Sequence, residues 1–484
     1  MQTLMTLHRW LGVIACLAIF TFAGSGLLHP LLSRTQPQPA QFSGPRAPMP
    51  AGALSLPAVL RAHGIENLQG ATLALLERGA AYRVQTEQGG ARYFDVHSGT
   101  EIENGEREHA RQLARHFLGD RRTAIDQLTR IGAFDAEYPA VNRLLPVWRA
   151  HFDRADGMTV YVDTEGNRLA TLVDGRKRVL QNVFRRLHNF SYLDALPGLR
   201  LPLMFGLLVA TASTSVAGLI MFVKLRRAER RLQRLPARRW HRRLSLAIGA
   251  SALGFTVSGG WHLLQQTREI PLPSPQTETF ASSELGDFIP AGDFTLLRVG
   301  VACYRTPATP MGAGAPSMMM EHHHPVAADH HAPAAPMASC VDTRQGAPIA
   351  DAESVRALTL ARRFARSEAA VAELEAVTRF GDEYGFINKR LPVWKVRFAD
   401  SETRWYVENS SGALALRADD SAAREGWVFG YFHKARFIGD ACKDLRDGAL
   451  IAFALGNLVV AALGLWLFAT RYRKRDPVPA PVAS

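Results

Sequence analysis

Cysteine is scarce in this chain. There are four among 484 residues and no Cys-x-x-Cys pair, so neither a disulfide-framed small domain nor a thiol redox motif organises the protein. No Gly-x-Gly-x-x-Gly turn follows a strand pattern, and there is no P-loop, no His-Glu-x-x-His helix and no nucleophile elbow. Those gaps remove the signatures of dinucleotide binding, nucleotide hydrolysis, zinc peptidases and serine hydrolases. Acidic residues are outnumbered, 44 Asp and Glu against 57 Lys and Arg, for a net charge of +13.

The placement of that charge argues against nucleic acid as a partner. Lys224, Arg226, Arg227, Arg230, Arg231, Arg234, Arg238, Arg239, Arg242 and Arg243 are opposed by Glu229 alone, and Arg471, Arg473, Lys474 and Arg475 form a second cluster. Both clusters adjoin long apolar runs. Four segments have the length and apolarity of membrane spans: Trp10 to Leu32, Leu201 to Val223, Leu244 to Leu264 and Gly448 to Thr470. The positive-inside rule then puts both termini in the cytoplasm. A mean hydropathy of −0.06 leaves room for large water-exposed parts. The expected organisation is 1–32 first span, 33–199 outer region, 200–223 second span, 224–243 basic inner loop, 244–264 third span, 265–447 outer region, 448–470 fourth span and 471–484 basic tail. The first span reads as an uncleaved anchor, because its pattern recurs inside the chain in the third.

Histidines punctuate those spans. His8 and His29 are 21 residues apart, as are His241 and His262. At 1.5 Å per residue this is roughly 31 Å, the thickness of a bilayer's hydrocarbon core. It leaves the two side chains about 60° apart around a helix. Each such helix carries a histidine near both membrane faces, a geometry suited to two stacked haems.

The chain repeats itself. His8-Arg9-Trp10-Leu11 recurs as His241-Arg242-Arg243-Leu244, and Ser25-Gly26-Leu27-Leu28-His29 as Ser258-Gly259-Gly260-Trp261-His262. Phe134-Asp135-Ala136-Glu137-Tyr138 with Asn142 to Trp148 matches Phe380 to Tyr384 with Asn388 to Trp394, and Leu187-His188 matches Phe432-His433. Each half is span, outer region, histidine, span, so a pseudo-two-fold axis along the membrane normal is expected. The outer regions read as α+β units. A helix over 107–118 precedes strands at 146–153, 159–163 and 168–173; a helix over 354–365 precedes strands at 393–399, 404–408 and 413–417. An earlier copy of the same kind is expected within 56–96.

On these motifs, His8-Arg9-Trp10-Leu11-Gly12 opening a span, Leu187-His188 ahead of the next, soluble units between and duplication of the whole plan, the chain resembles the PepSY-associated transmembrane family. That family includes inner-membrane dihaem ferric-siderophore reductases, and the resemblance covers nearly the full length. It implies an integral membrane α-helical fold of four spans, a duplicated two-span unit, with α+β PepSY-like periplasmic domains. It further implies b-type haem on span histidines, two groups by this reading, and reduction of a periplasmic metal complex.

The residues themselves support haem. Two axial imidazoles suit an iron that carries electrons without binding substrate. His8 with His241 would hold an inner haem; His29 with His262, or His188 with His433, an outer one. Lacking a nicotinamide or flavin domain, the chain would take electrons from a separate donor, quinol or a cytoplasmic reductase. The alternatives are a non-redox membrane protein whose outer domains bind a metal or peptide, and a copper-directed reductase or handling protein.

Copper enters through an insertion at about 306–337. It holds Met318, Met319, Met320, His322, His323, His324, His330 and His331 in a Pro/Ala/Gly-rich tract, a thioether and imidazole set suited to Cu(I), while imidazole alone suits another transition metal ion such as Cu(II), Zn or Ni. Cys303 and Cys340 flank it on the oxidising side, so a cross-strand disulfide closing the insertion is expected. Cys16 and Cys442 read as packing residues.

Overall fold

A computed structural model describes residues 2–224, 236–268, 271–307, 338–381, 383–438 and 443–473. The Met/His tract, most of the basic segment 224–243, Cys442 and the basic tail beyond Arg473 lie outside the described residues. In chain order the helices are α1 (Gln2–Gly26), α2 (Leu28–Thr35), α3 (Leu56–Ala62), α4 (Gly105–Leu118), α5 (Gly175–His188), α6 (Pro197–Lys224), α7 (Pro236–Gln266), α8 (Ala352–Ala365), α9 (Asp420–Val428) and α10 (Lys443–Arg473). The strands are β1 (Asn67–Leu76), β2 (Gly79–Thr86), β3 (Ala91–Asp95), β4 (Ile125–Ile131), β5 (Val147–Phe152), β6 (Thr159–Asp163), β7 (Arg168–Val173), β8 (Phe280–Ala281), β9 (Thr295–Val299), β10 (Val301–Thr306), β11 (Ser339–Asp342), β12 (Pro348–Ile349), β13 (Val371–Val377), β14 (Val393–Phe398), β15 (Arg404–Glu408) and β16 (Ala413–Ala418). The chain divides into a helical unit, residues 1–35, 177–269 and 421–484, and a sheet unit, residues 36–176 and 270–420.

In the helical unit, α1 with α2, α6, α7 and α10 are each long and apolar enough to cross a membrane. The chain is a membrane protein on this evidence. Helix α1 packs against α6 and α10, and α7 packs against the same two, so α1 and α7 lie diagonally in a ring of four. Pro236 and Pro197 stand at the first positions of α7 and α6, where a missing N–H costs nothing. Helix α1 does not run unbroken to His29. It ends at Gly26, and α2 starts at Leu28. Pro30 is the reason: it has no N–H for the Gly26 carbonyl, and its ring crowds that carbonyl. The third span has no such proline, and α7 continues past His262 to Gln266. The 21-residue helical geometry therefore holds for His241 and His262 and is interrupted between His8 and His29.

In the sheet unit, two four-stranded antiparallel sheets have the same plan, β4-β5-β6-β7 and β13-β14-β15-β16. The sequence suggests three strands in each. The fourth, β4 or β13, sits at the edge and is largely exposed, so it lacks the alternation that marks a half-buried strand. Each sheet is covered by one helix. Helix α4 buries Ala110, Leu113, Ala114 and Phe117 against Trp148, Phe152, Val160, Val162 and Leu172. Helix α8 does the same with Ala357, Leu360 and Ala361 against Val396, Phe398, Val407 and Leu414. Truncating Phe117, which is fully buried, would cost about 3–5 kcal/mol.

The repeated Glu-Tyr…Asn…Leu-Pro-Val-Trp motif forms the corner ahead of β5 and of β14. Tyr138 Oη donates to Leu144 O at 2.9 Å and Tyr384 Oη to Arg390 O at 2.8 Å. Asn142 and Asn388 close the preceding turns on Pro139 O and Gly385 O, both at 3.0 Å. Between the two sheets, Glu408 accepts from Arg168 at 2.8 Å and from Arg390 at 2.6 Å. Glu408 is 2% exposed, and burial alone would raise its pKa. Arg168 and Arg390 outweigh that and hold it well below the usual carboxylate range.

The segment 56–96, where an earlier copy of the same kind is expected, shares its sheet with strands from later in the chain. Helix α3 and strands β1–β3 are present, but β1 also pairs antiparallel with β9, through Thr72 and Thr295, in an eight-stranded sheet ordered β12-β11-β10-β9-β1-β2-β3 with β8 on β1. Period and turn signals identify strands; which distant strand completes a sheet depends on burying Leu68, Leu73, Phe94, Phe280 and Leu296 in one core.

Candidate functional site

The candidate site is the set of histidines in the helical unit. His8 on α1 places Nδ1 3.1 Å from Thr214 O of α6, and His241 on α7 places Nδ1 3.1 Å from Val460 O of α10. A carbonyl only accepts, so Nδ1 carries the hydrogen in both rings. In a neutral imidazole that leaves the Nε2 lone pair available to a metal. Gly218 and Gly464 stand beside the two rings, where an added Cβ would come within 3.3 Å and 3.2 Å of the imidazole Cε1. Glycine at both positions spares the rings a tighter than usual contact. His8 and His241 lie within electrostatic range of each other.

His188 and His433 follow a second common plan. Helix α5 ends at His188, and α9 continues as one π-helical turn, Phe429–His433. Two residues beyond each histidine the chain turns through a left-handed residue, Phe190 (φ 51°) and Ala435 (φ 53°). Neither is glycine, so each turn carries backbone strain that its buried surroundings maintain. Four residues before each ring a phenylalanine stacks on it, Phe184 at 4.7 Å and Phe429 at 4.5 Å between centroids. A second phenylalanine from the facing span, Phe22 or Phe255, meets each ring edge-on.

The hydroxyls decide the tautomers here. Ser25 Oγ is 3.0 Å from His188 Nδ1, and Ser258 Oγ is 3.3 Å from His433 Nδ1. Each serine donates its one hydrogen to a carbonyl of its own helix, Thr21 O or Gly254 O, at 2.6 Å. With that hydrogen on the carbonyl, each hydroxyl accepts from Nδ1–H, the tautomer in which Nε2 is unprotonated. The two ring centroids are 6.2 Å apart with planes at 85°. Two imidazoles on opposite sides of one metal ion have centroids about 6.2 Å apart, from bonds of about 2.0 Å and about 1.1 Å from nitrogen to centroid on each side.

The remaining two histidines differ from these four. His262 Nδ1 lies 2.7 Å from Glu425 Oε1 and Nε2 lies 3.0 Å from Gln266 Nε2, so both its ring nitrogens are engaged; it also stacks on Phe429 at 4.1 Å. His29 sits exposed on α2, within electrostatic range of Lys434, Asp447 and His188. The structure thus brings His188 and His433 together, and gives His262 a carboxylate partner on α9.

Among the described residues no group of three or more His, Cys, Asp and Glu side chains could hold a metal ion on its own. Pairs of imidazoles do not suit a bare structural metal, which takes four protein ligands; they do suit a porphyrin iron, whose other four ligands are the macrocycle's. Sequence reasoning missed Ser25, Ser258, Phe184, Phe429 and Glu425 as part of the site. The repeated Ser-Gly pairs and the i, i+4 Phe-His spacing in both halves were the available signal.

The disulfide joins Cys303 to Cys340, with Cα atoms 5.8 Å apart. Cys16 is buried, with its thiol 3.4 Å from Ala461 O. The candidate ligands Met318, Met319, Met320, His322, His323, His324, His330 and His331 lie outside the described residues. No protein-family model matches this chain, and no curated protein matches it as a relative.

Proposed function

We propose that the chain is an inner-membrane haem-b electron-transfer protein, built as a duplicated two-span unit with PepSY-like periplasmic domains, that reduces a periplasmic metal complex, by preference a ferric siderophore, to release the metal. The supporting observation is the pair His188 and His433, with Nδ1 of each against a serine hydroxyl and ring centroids 6.2 Å apart. His8 and His241 would hold the second group in the same tautomer. Bound between such pairs, b-type haem supplies a one-electron carrier with no open coordination position for substrate.

The chain's own residues do the rest. The Thr214 and Val460 carbonyls and the two serines orient the imidazoles and raise their basicity, as outer-shell partners of metal-bound histidine do. The phenylalanines around His188 and His433 exclude water, which favours a low dielectric there. Glu425 with His262 provides an acid–base pair beside the outer site. In keeping with the duplication, the matched residues come from equivalent places in the two halves: Ser25 and Ser258, Phe22 and Phe255, Phe184 and Phe429, Gly218 and Gly464.

The test is a reduced-minus-oxidised optical spectrum of the detergent-purified protein with pyridine haemochrome quantification. Roughly two b-type haems per chain support the reading. No haem, in protein expressed with adequate haem supply, favours a non-redox membrane protein that binds a metal or peptide through its outer domains.

A copper-directed role is the second reading. Thr306 and Ser339 face each other at the hairpin end from which the Met/His tract departs, and the disulfide lies close behind them. The tract's thioethers and imidazoles are a soft ligand set suited to Cu(I). Deleting Met311 to Met337 should then weaken copper binding and spare haem.

A further inference from the structure

The sheet unit contains a basic cleft of 670 Å³, lined by Ala40, Gln41, residues at and after the end of α4, and Arg154. Its charged lining is Arg115, Arg121, Arg122 and Arg154, with His116, against one carboxylate, Asp120. The carboxylate is already occupied. It accepts from the backbone N–H of Arg122 and Thr123, both at 3.0 Å, from Thr123 Oγ1 at 2.7 Å and from Arg154 at 3.1 Å. Arg115 pairs with Glu77, and Arg154 also with Asp156. Arg121 and Arg122 add two further exposed positive charges at the rim, and neither makes an ion pair among the described residues.

The cleft is built by close contacts. Ala40 N donates to Phe117 O at 2.8 Å, and His116 Nε2 lies 2.9 Å from Ser43 O. Gly119 turns the chain at φ +72°, and a Cβ there would stand 2.6 Å from the Ala40 side chain. The α4 C-terminus contributes partial negative charge, but its last carbonyls are capped by Gly119 N–H; with Arg115 and Arg154 already paired to carboxylates, Arg121 and Arg122 supply the positive charge that exceeds it. The equivalent turn of the other half reads Arg366-Ser367-Glu368-Ala369-Ala370 where this one reads Gly119-Asp120-Arg121-Arg122-Thr123. The basic pair belongs to the first half alone.

We propose that this cleft binds a compact polyanionic metal chelate, in which several carboxylate or catecholate oxygens are presented around one trivalent ion. Its volume falls in the range of small-molecule sites, and forked guanidiniums match paired anionic oxygens. The inference rests on the metal-complex reading above and names the substrate class and the place where it is captured.

The experiment titrates detergent-purified full-length protein with gallium(III) tris-catecholate, a trianion whose metal is not reduced, so binding is read independently of haem. The wild type should bind. The double variant Arg121→Gln/Arg122→Gln, made at exposed positions, should bind at least about tenfold more weakly, with unchanged circular dichroism, and added salt should weaken the wild type in the same direction. No binding by the wild type, equal binding by the variant, or displacement by inorganic phosphate or phosphatidylglycerol vesicles as effective as by free chelate would overturn the proposal. A haem-free protein that binds the chelate removes the reductase reading and keeps this one; a haem-replete protein that does not bind removes this one alone.

Discussion

His188 and His433, 245 positions apart in the chain, meet edge to face with ring centroids 6.2 Å apart and planes at 85°. Each is reached by the same devices: a serine from the facing span on Nδ1, a phenylalanine one helical turn back, and a left-handed residue two positions on. An arrangement repeated in this detail is hard to attribute to packing alone, because any apolar side chain would pack there without needing a hydroxyl acceptor.

The pairs should be separable. His433→Ala should remove one haem and leave the other visible in the reduced-minus-oxidised spectrum, and His241→Ala should remove the other. Loss of both from either substitution, or of neither, would contradict two independent pairs.

The serines are expected to act through the imidazoles. Replacing Ser25 and Ser258 together by alanine removes the hydroxyl partner of each Nδ1 and leaves each imidazole its backbone partner, Phe22 or Phe255, and should weaken haem retention by about 10-fold, the low end for outer-shell partners. The readout is haem content after dialysis against apomyoglobin. Gly464→Val should be more severe at the pair His8 and His241, since its Cβ alone would approach His241 Cε1 to 3.2 Å.

His109 gives the sheet unit a pH dependence. It is 2% exposed, and burial, aided by Arg83 and opposed by Glu106, lowers its pKa from 6.5 to about 4. A histidine kept neutral in the folded state contributes stability that is present above its unfolded value and is lost as pH falls. The melting temperature of the sheet unit should therefore drop between pH 6.5 and about 4. His109→Leu should flatten that part of the profile; an unchanged slope would refute the assignment.

Cys303 and Cys340 close a loop with a sequence separation of 37. By the chain-entropy estimate the bond contributes about 4 kcal/mol. Cys303→Ser should lower the thermal midpoint of the sheet unit in non-reducing buffer, and dithiothreitol should bring the wild type down to the same value.

Much of the architecture was legible in the sequence because its signals are local. Apolar length marks the four spans, and period and turn chemistry place β5 to β7 and β14 to β16 within a residue or so of their observed bounds. The internal repeat singled out the histidines in pairs. Edge strands β4 and β13 escaped, since an exposed strand has no apolar alternation to read. The break before His29 was present as Pro30, outweighed in the reading by the 21-residue spacing.

The sequence by itself determined which residues could serve: matched histidines, matched serines, matched glycines and a basic turn after α4. Only the tertiary structure decided among them. Which imidazoles meet, which ring nitrogen is left unprotonated, and which strand completes the eight-stranded sheet depend on contacts between segments 160 to 250 residues apart. Such contacts are set by the burial of whole faces against one another, and no local pattern encodes them.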